Sequence, residues 1–192
     1  NKFEEIVAQF PNNDALVVCH QDVKWSYKEL NKKVDELATG LLSLGIQKGD
    51  RLGIWGPNSY EWVLTQLATA KIGVIMVCIN PAYRLFELEY ALNKVECKAI
   101  ISAESFKSSQ YLSMLNELAP ELKTAQPGKL NAEKLPHLTT VIRMGNDKTP
   151  GMYNFEAVCQ SGGEKEQETL VHDLFSCKEP SVSPFGKAIF KT

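Results

Sequence analysis

Residues Gly49 to Leu92 read GDRLGIWGPNSYEWVLTQLATAKIGVIMVCINPAYRLFELEYAL. Arg51 to Trp55 is a short, mostly apolar run of strand length, and Gly56-Pro57 is the turn after it. Asn58, with Glu61 three residues on, reads as the cap of a helix that runs to Lys71 or Ile72 and stops at Gly73. Val74 to Ile79 is uninterrupted apolar sequence. A strand apolar on both faces belongs in the middle of a sheet covered by helices on each side. Asn80-Pro81 breaks it, and Leu85 to Val95 follows as a helix with Leu88, Ala91, Leu92 and Val95 facing inward. Alternation of this kind defines parallel βαβ units with right-handed crossovers. The expected fold class is therefore α/β, with a mostly parallel sheet flanked by helices.

The flanking sequence extends the pattern in both directions. Lys2 to Phe10 has helical spacing through Phe3, Ile6, Val7 and Phe10, and Pro11-Asn12-Asn13-Asp14 stops it. Ala15 to Cys19 and Val23 to Trp25 are short strands around a turn at His20-Gln21-Asp22. Trp25 to Gly45 carries the fullest helix signature. Ser26 and Glu29 form a capping box, Trp25 and Leu30 a hydrophobic staple, and Gly45 a left-handed stop. Leu30, Val34, Leu37, Leu41 and Leu44 make one apolar stripe. Downstream, Ala99 to Ser102 is a buried strand and Ser105 to Leu118 a helix ended before Pro120. Residues 120 to 137 read as a long surface loop. Thr139 to Arg143 is a last strand, Gly145 to Gly151 a turn cluster, and Phe155 to Gln160 one or two helical turns. Glu164 to Glu168 is the solvated face of a final helix ending near Phe175. No periodicity follows from Ser176 onward.

A chain of 192 residues with 44% hydrophobic residues is long enough for one sizeable core or part of a larger domain. The net charge of −2, from 21 basic and 23 acidic residues, implies no basic face, so no nucleic-acid partner is expected. No 18-residue apolar run is present, so no transmembrane segment is expected. Cys19, Cys78, Cys97, Cys159 and Cys177 form no CxxC pair and read as reduced thiols. His20, His137 and His172 lie far from any cysteine pair, which argues against zinc. The sequence lacks an initiator Met and an Arg-rich leader, so the first residue is expected to be a cut or processed end, with any targeting peptide outside the chain.

Neither GxGxxG nor GxxxxGK[ST] occurs. Gly56-Pro57-Asn58-Ser59, between a strand and a helix N-terminus, could bind an anion, but a capped strand-to-helix turn is the favoured reading. Gly162-Gly163-Glu164-Lys165 lacks a preceding buried strand and reads as a loop. Gly186-Lys187 lacks the earlier glycine of a phosphate loop. No GxSxG elbow is present. His172-Asp173 are adjacent on a helix and do not face each other. His20 and His137 have no nucleophile near them in sequence. Trp55, Tyr60 and Trp62 resemble an acyl contact surface, although core packing is the commoner use of such a cluster. No catalytic, cofactor-binding or metal-binding residue is assigned.

Several blocks resemble, in order and spacing, the N-terminal part of the AMP-forming acyl-CoA synthetases of the adenylate-forming superfamily. They are Trp25-Ser26-Tyr27-Lys28-Glu29-Leu30; Gly49-Asp50-Arg51-Leu52 leading into Trp55-Gly56-Pro57-Asn58; Ala70-Lys71-Ile72-Gly73; and Asn80-Pro81-Ala82-Tyr83-Arg84 with Glu87-Leu88-Glu89-Tyr90. The likeness covers residues 1 to 180, which sets an expected N-terminal α/β subdomain of an AMP-binding domain, with 181 to 192 a divergent tail. The resemblance implies a two-step ligation. A medium-chain fatty acid and ATP give an acyl-adenylate and pyrophosphate, and CoA then gives acyl-CoA and AMP. Mg²⁺ is the implied metal and the mitochondrial matrix the implied compartment. The family's Ser/Thr/Gly-rich phosphate loop should follow Glu179-Pro180, where this sequence reads SVSPFGKAIFKT. The matching blocks are scaffold, so the expectation is a truncated ligase fragment without turnover of its own. An interaction module that binds the full-length enzyme, another partner or itself through exposed apolar surface is the alternative. A stand-alone α/β ligand-binding domain is a further one.

Overall fold

The computed structural model describes residues 2–145 and 147–176, with side chains through Leu170. Its centre is a five-stranded, all-parallel sheet in the order β4-β3-β5-β6-β7. The strands are β3 (Arg51–Trp55), β4 (Ile75–Cys78), β5 (Ala99–Ser102), β6 (Thr140–Arg143) and β7 (Tyr153–Asn154). β3 pairs with β4 through Gly53↔Val77 and with β5 through Gly53↔Ile100. An antiparallel hairpin of β1 (Asp14–Val18) and β2 (Val23–Ser26) stands apart from this sheet. Its turn is one 3-10 turn over Cys19–Gln21 followed by Asp22 at φ 52°.

The helices are α1 (Lys2–Gln9), α2 (Tyr27–Ser43), α3 (Tyr60–Lys71), α4 (Leu85–Lys94), α5 (Tyr111–Leu118), α6 (Phe155–Cys159) and α7 (Glu164–Ser176). α2 packs on α1, α3, α6 and α7 along one face of the sheet, while α4 meets α5 on the other. This split follows from handedness. A right-handed crossover from β3 out to β4 and one from β4 back past β3 to β5 must use opposite faces.

α2 forms as its sequence demands. The Ser26 N–H donates to Glu29 Oε2 at 2.8 Å and the Glu29 N–H to Ser26 Oγ at 3.3 Å, closing the capping box. Those bonds hold the Glu29 carboxyl below its ordinary pKa, the Ser26 backbone contributing most. Gly45, at φ 77°, ends the helix. Leu30, Val34, Leu37 and Leu41 are buried. Gly40 lets α6 approach, since a Cβ there would fall inside contact distance of the Val158 carbonyl.

One buried cation ties α1 to this layer. The Lys71 side chain is 3% exposed, and its Nζ lies 2.6 Å from Asp35 Oδ1 and 3.1 Å from Glu4 Oε1. It also donates to Asn31 Oδ1 at 2.8 Å and sits 5.9 Å from the Phe3 ring centroid. α1 buries no residue fully, so this ion cluster and the half-buried Phe3, Ile6 and Val7 hold it.

Four expectations are corrected. Among the described strands β4 is an edge strand and not a central one, with Ile75 54% exposed. A continuous apolar run reports apolar surroundings but carries no information on strand order, which the crossovers set. The helix expected from Ser105 begins at Tyr111. Residues before it form a tight turn, with mutual Phe106 and Ser109 backbone bonds of 2.9 Å and Lys107 at φ 53°. The segment 120–137 is not a loose surface loop, because Leu122, Leu130, Ala132 and Leu135 are buried. Finally, the strand expected over Thr139 to Arg143 is not the last, because β7 follows the Gly145 to Gly151 turn and is too short to show periodicity.

Candidate functional site

Ligands of open parallel sheets bind outside the carboxyl ends of the strands. A cavity of about 450 Å³ lies there, beyond β3 and β4. Its walls are Trp62, Tyr83, Phe106 and Pro57, with Asn58 and Asn80 as polar groups. The loops that carry them are pinned through backbone carbonyls. Trp62 Nε1 donates to the Gly56 carbonyl at 3.3 Å, and Trp55 Nε1 donates to that of Asn80 at 3.1 Å. The Tyr111 hydroxyl donates to the Pro81 carbonyl at 3.0 Å. Asn80 Oδ1 accepts from the Ala82 N–H at 2.9 Å, folding the loop after β4 back on itself. The cavity offers aromatic walls and amide groups, which suit an apolar or planar ligand.

The N-terminus of α3 opens beside this cavity, and the expected Asn58 cap is not the one used. Ser59 occupies the cap position without a side-chain bond to the helix. The cap comes from the hairpin turn: Gln21 Oε1 accepts from the Tyr60 N–H at 2.8 Å, while Gln21 Nε2 donates to Glu61 Oε2 at 2.9 Å. Glu61 is 5% exposed and serves this bridge instead of a capping box. An anion at Gly56–Ser59 would compete with Gln21 for the Tyr60 amide. Nothing local in the sequence signals this bridge, because the partners are 39 and 40 residues apart.

The aromatic cluster divides. Trp55 is fully buried and packs on Tyr111, ring centroids 4.3 Å apart. Tyr60 stands edge-on to Trp25 and Phe155, and its hydroxyl donates to Glu156 Oε1 at 2.9 Å. Burial, then Glu61 and Glu156, pushes the Tyr60 hydroxyl well above its ordinary pKa. Trp62 alone of the three lines the cavity.

The other candidates stay apart. Gly162 packs against Thr39, and the Gly163 N–H donates to Glu166 Oε2 at 3.0 Å, so this loop opens α7 and cradles no phosphate. His20 and His137 are exposed. His172 and Asp173 follow one another in α7, and their side chains lie outside the described residues, as do Cys177 and Gly186-Lys187. Cys19, Cys78, Cys97 and Cys159 are free thiols. Arg143, which the sequence did not flag, is buried at the end of β6. It donates to Thr149 Oγ1 at 2.8 Å and to Glu104 and Asp147 at 3.2 and 3.3 Å, clamping the neighbouring loops.

A larger cleft of about 550 Å³ runs between α2 and α7. It lies away from the strand ends, and its two lining carboxylates are already paired, Glu36 with Lys33 at 3.0 Å and Asp35 with Lys71 at 2.6 Å. Its thiol, Cys159, is pushed up to about 12 by burial, then by Glu156 and Glu36, and is inert. The strand-end cavity is therefore the candidate site.

An all-parallel sheet with helices on both faces and a crevice at the carboxyl ends of its strands defines an α/β unit of the doubly wound kind. The chain belongs to the AMP-binding enzyme family, whose profile matches residues 3–175. It is 48% identical over 175 residues to the medium-chain acyl-CoA ligase ACSF2, mitochondrial, of Rattus norvegicus, covering 90% of this chain and 28% of the relative. With the ligase of that name from Homo sapiens it shares 46% identity over 180 residues, covering 92% and 29%. The chain thus corresponds to little more than a quarter of these relatives' length, at their N-terminal portion. Among solved structures it resembles the anthranilate CoA ligase AuaEII in complex with anthranoyl-AMP. The TM-score is 0.70 at 20% identity, covering 83% of this chain and 27% of that one. The N-terminal domain of FACL13 from Mycobacterium tuberculosis gives 0.66 at 23% identity, covering 84% and 35%. At these identities the likeness is one of fold.

Proposed function

We propose that this chain is the N-terminal α/β subdomain of an ATP-dependent medium-chain fatty acid–CoA ligase of the mitochondrial matrix. The observation that carries the reading is the 48% identity, over 175 residues, to a mitochondrial medium-chain acyl-CoA ligase. The substrates of the whole enzyme would be a medium-chain fatty acid, ATP and CoA, with Mg²⁺ as metal. On this reading the described residues supply no ATP or Mg²⁺ site by themselves. What supports it is that the first amide of α3 is committed to Gln21. The role of those residues is scaffold, and the 192-residue chain alone is taken to be catalytically silent.

Two experiments test this. A chimera carrying residues 3–175 in place of the matching segment of the rat ligase is expected to form octanoyl-CoA. A folded chimera that forms none would overturn the ligase reading. The 192-residue chain with octanoate, ATP and Mg²⁺ is expected to show no ATP–pyrophosphate exchange above a blank lacking fatty acid, and exchange would overturn the scaffold role.

A second reading, an interaction module, rests on α4. Phe86 and Tyr90, one helical turn apart, are 80% and 62% exposed, an apolar pair of the kind that binds partners or copies. Sedimentation as a single monomer across concentrations, with no capture of the full-length ligase, would dispose of it.

A further inference from the structure

The walls of the strand-end cavity are not held alike. Trp62 is tied to the Gly56 carbonyl, and the loop after β4 is held at Asn80 by Trp55 and at Pro81 by Tyr111. Phe106 reaches the cavity from the β5 side of β3, and among the described residues it is the one wall residue that does. Its own bonds stay within its turn. The Phe106 and Ser109 amides donate to each other's carbonyls at 2.9 Å, and the Lys107 ammonium lies 5.3 Å from the Phe106 ring centroid. Glu104 to Ser108 are all exposed. Lys107, at φ 53°, holds a left-handed conformation that a lysine rarely adopts, strain of the kind found in segments with two states.

The turn is anchored on both sides by Trp55. Before it, the Ala103 N–H donates to the Trp55 carbonyl at 2.9 Å. After it, the buried Tyr111 ring packs 4.3 Å from the Trp55 ring. Gly56 admits Ala103 this closely, since a Cβ on Gly56 would be 3.0 Å from that of Ala103. Between the anchors, the bonds that leave the turn come from its two ends. The Gln110 carbonyl accepts from the Met114 N–H at 3.0 Å, and the Glu104 carbonyl from the Leu112 N–H at 3.2 Å. The Glu104 carboxylate accepts from Arg143 at 3.2 Å. The Arg143 side chain is 5% exposed and that of Glu104 61%, so the cation is fixed and the carboxylate is free to part from it.

We propose that residues 104–110 form a lid over the strand-end cavity, swinging as one body about Glu104 and Gln110 and latched closed by the Glu104–Arg143 ion pair. The swing carries Phe106 onto or off the mouth that Trp62 and Tyr83 also line, and so sets access to the cavity. The lid takes this cavity as the site, but its motion needs no ligand, so it stands or falls apart from the ligase reading.

NMR relaxation dispersion tests this on the 192-residue chain and on Glu104→Gln. The Phe106, Lys107, Ser108 and Ser109 amides are expected to share one exchange rate on the microsecond-to-millisecond scale, with Ala103 and Tyr111 silent. The Trp62 indole N–H, on the facing wall, is expected to show the same rate. Glu104→Gln replaces a charged bond with a neutral one at an exposed position and is expected to raise the open population about threefold. Its remaining amide shifts report whether the fold is intact. Flat profiles across the turn in both proteins would overturn the lid. Unrelated rates at its four amides, the mark of a fraying loop, or a silent Trp62 indole would overturn it equally, and an unchanged population in Glu104→Gln would overturn the latch.

Discussion

Gln21 is hydrogen-bonded to Tyr60, its side-chain carbonyl accepting the first amide of α3 at 2.8 Å. The opposite end of the same amide holds the buried Glu61 carboxylate at 2.9 Å. One residue of the hairpin turn thereby caps a helix of the main sheet and satisfies a carboxylate beneath it. Gln21→Ala strands both groups and is expected to cost about 2 kcal/mol. Gln21→Glu keeps an acceptor for the amide but sets a carboxylate against Glu61, and is expected to be no better. Urea unfolding monitored by tryptophan fluorescence reads both, and an unchanged midpoint in Gln21→Ala would remove the bridge from the stability of the fold.

Gly40 sits inside α2, where alanine would be preferred by about 1 kcal/mol on helix propensity alone. The Val158 carbonyl occupies the place of the missing Cβ, and backbone cannot turn aside as a side chain can. Gly40→Ala is therefore expected to destabilise, by about 2 kcal/mol or more, as α6 is forced off α2. A variant more stable than the parent in denaturant titration would contradict the close approach.

Lys71 is buried, whereas its partners Asp35 and Glu4 are each about one-third exposed and can take up water. Its removal should therefore fall below the usual loss for a buried pair. Lys71→Met is expected to cost about 1–2 kcal/mol and Lys71→Ala about 3 kcal/mol, the difference being the vacated stem volume. In both, α1 should become the first site of limited proteolysis. Continued protection of α1 in Lys71→Met would show that its apolar contacts suffice to hold it.

Burial pushes the Cys97 thiol up to about 11 and, with Glu156 and Glu36, the Cys159 thiol up to about 12. An unfolded thiol ionises near about 8.5. Above that pH the unfolded chain binds fewer protons than the folded one, so stability falls as pH rises. It is complete below about pH 8.5 and declines through about pH 11, each thiol contributing up to about 1.4 kcal/mol per pH unit. Denaturant midpoints from pH 7 to pH 10.5 should show this decline. The double variant Cys97→Ala, Cys159→Ala should flatten it, and an unflattened decline would place the alkaline loss elsewhere.

What could be read from the sequence was what its own neighbours enforce. Ser26 and Glu29 are three residues apart, so the capping box is written in adjacent letters, and Gly45 and Gly73 mark stops because their backbones adopt positive φ at 77° and 68°. β3 and β5 fall at the expected residues for the same reason. The rest depended on partners distant in sequence. Gln21 displaced Asn58 as the cap of α3 because the fold carries the hairpin turn to it. Val74 to Ile79 looked central because apolarity reports environment and not order. Trp62 faced a cavity while Trp55 and Tyr60 faced core, a division that residue type alone does not contain.

The contact between α2 and α6 also has a consequence in time. Ser43 and Ser161, whose hydroxyls meet at 2.9 Å, are separated by 118 residues. Synthesis at about 5–20 residues per second leaves α2 waiting roughly 6–24 s for its partner to leave the ribosome. Throughout that interval the apolar stripe of Leu37 and Leu41 has no mate from the C-terminal half. Slowing translation between residues 43 and 161 is therefore expected to lower the yield of folded protein in cells.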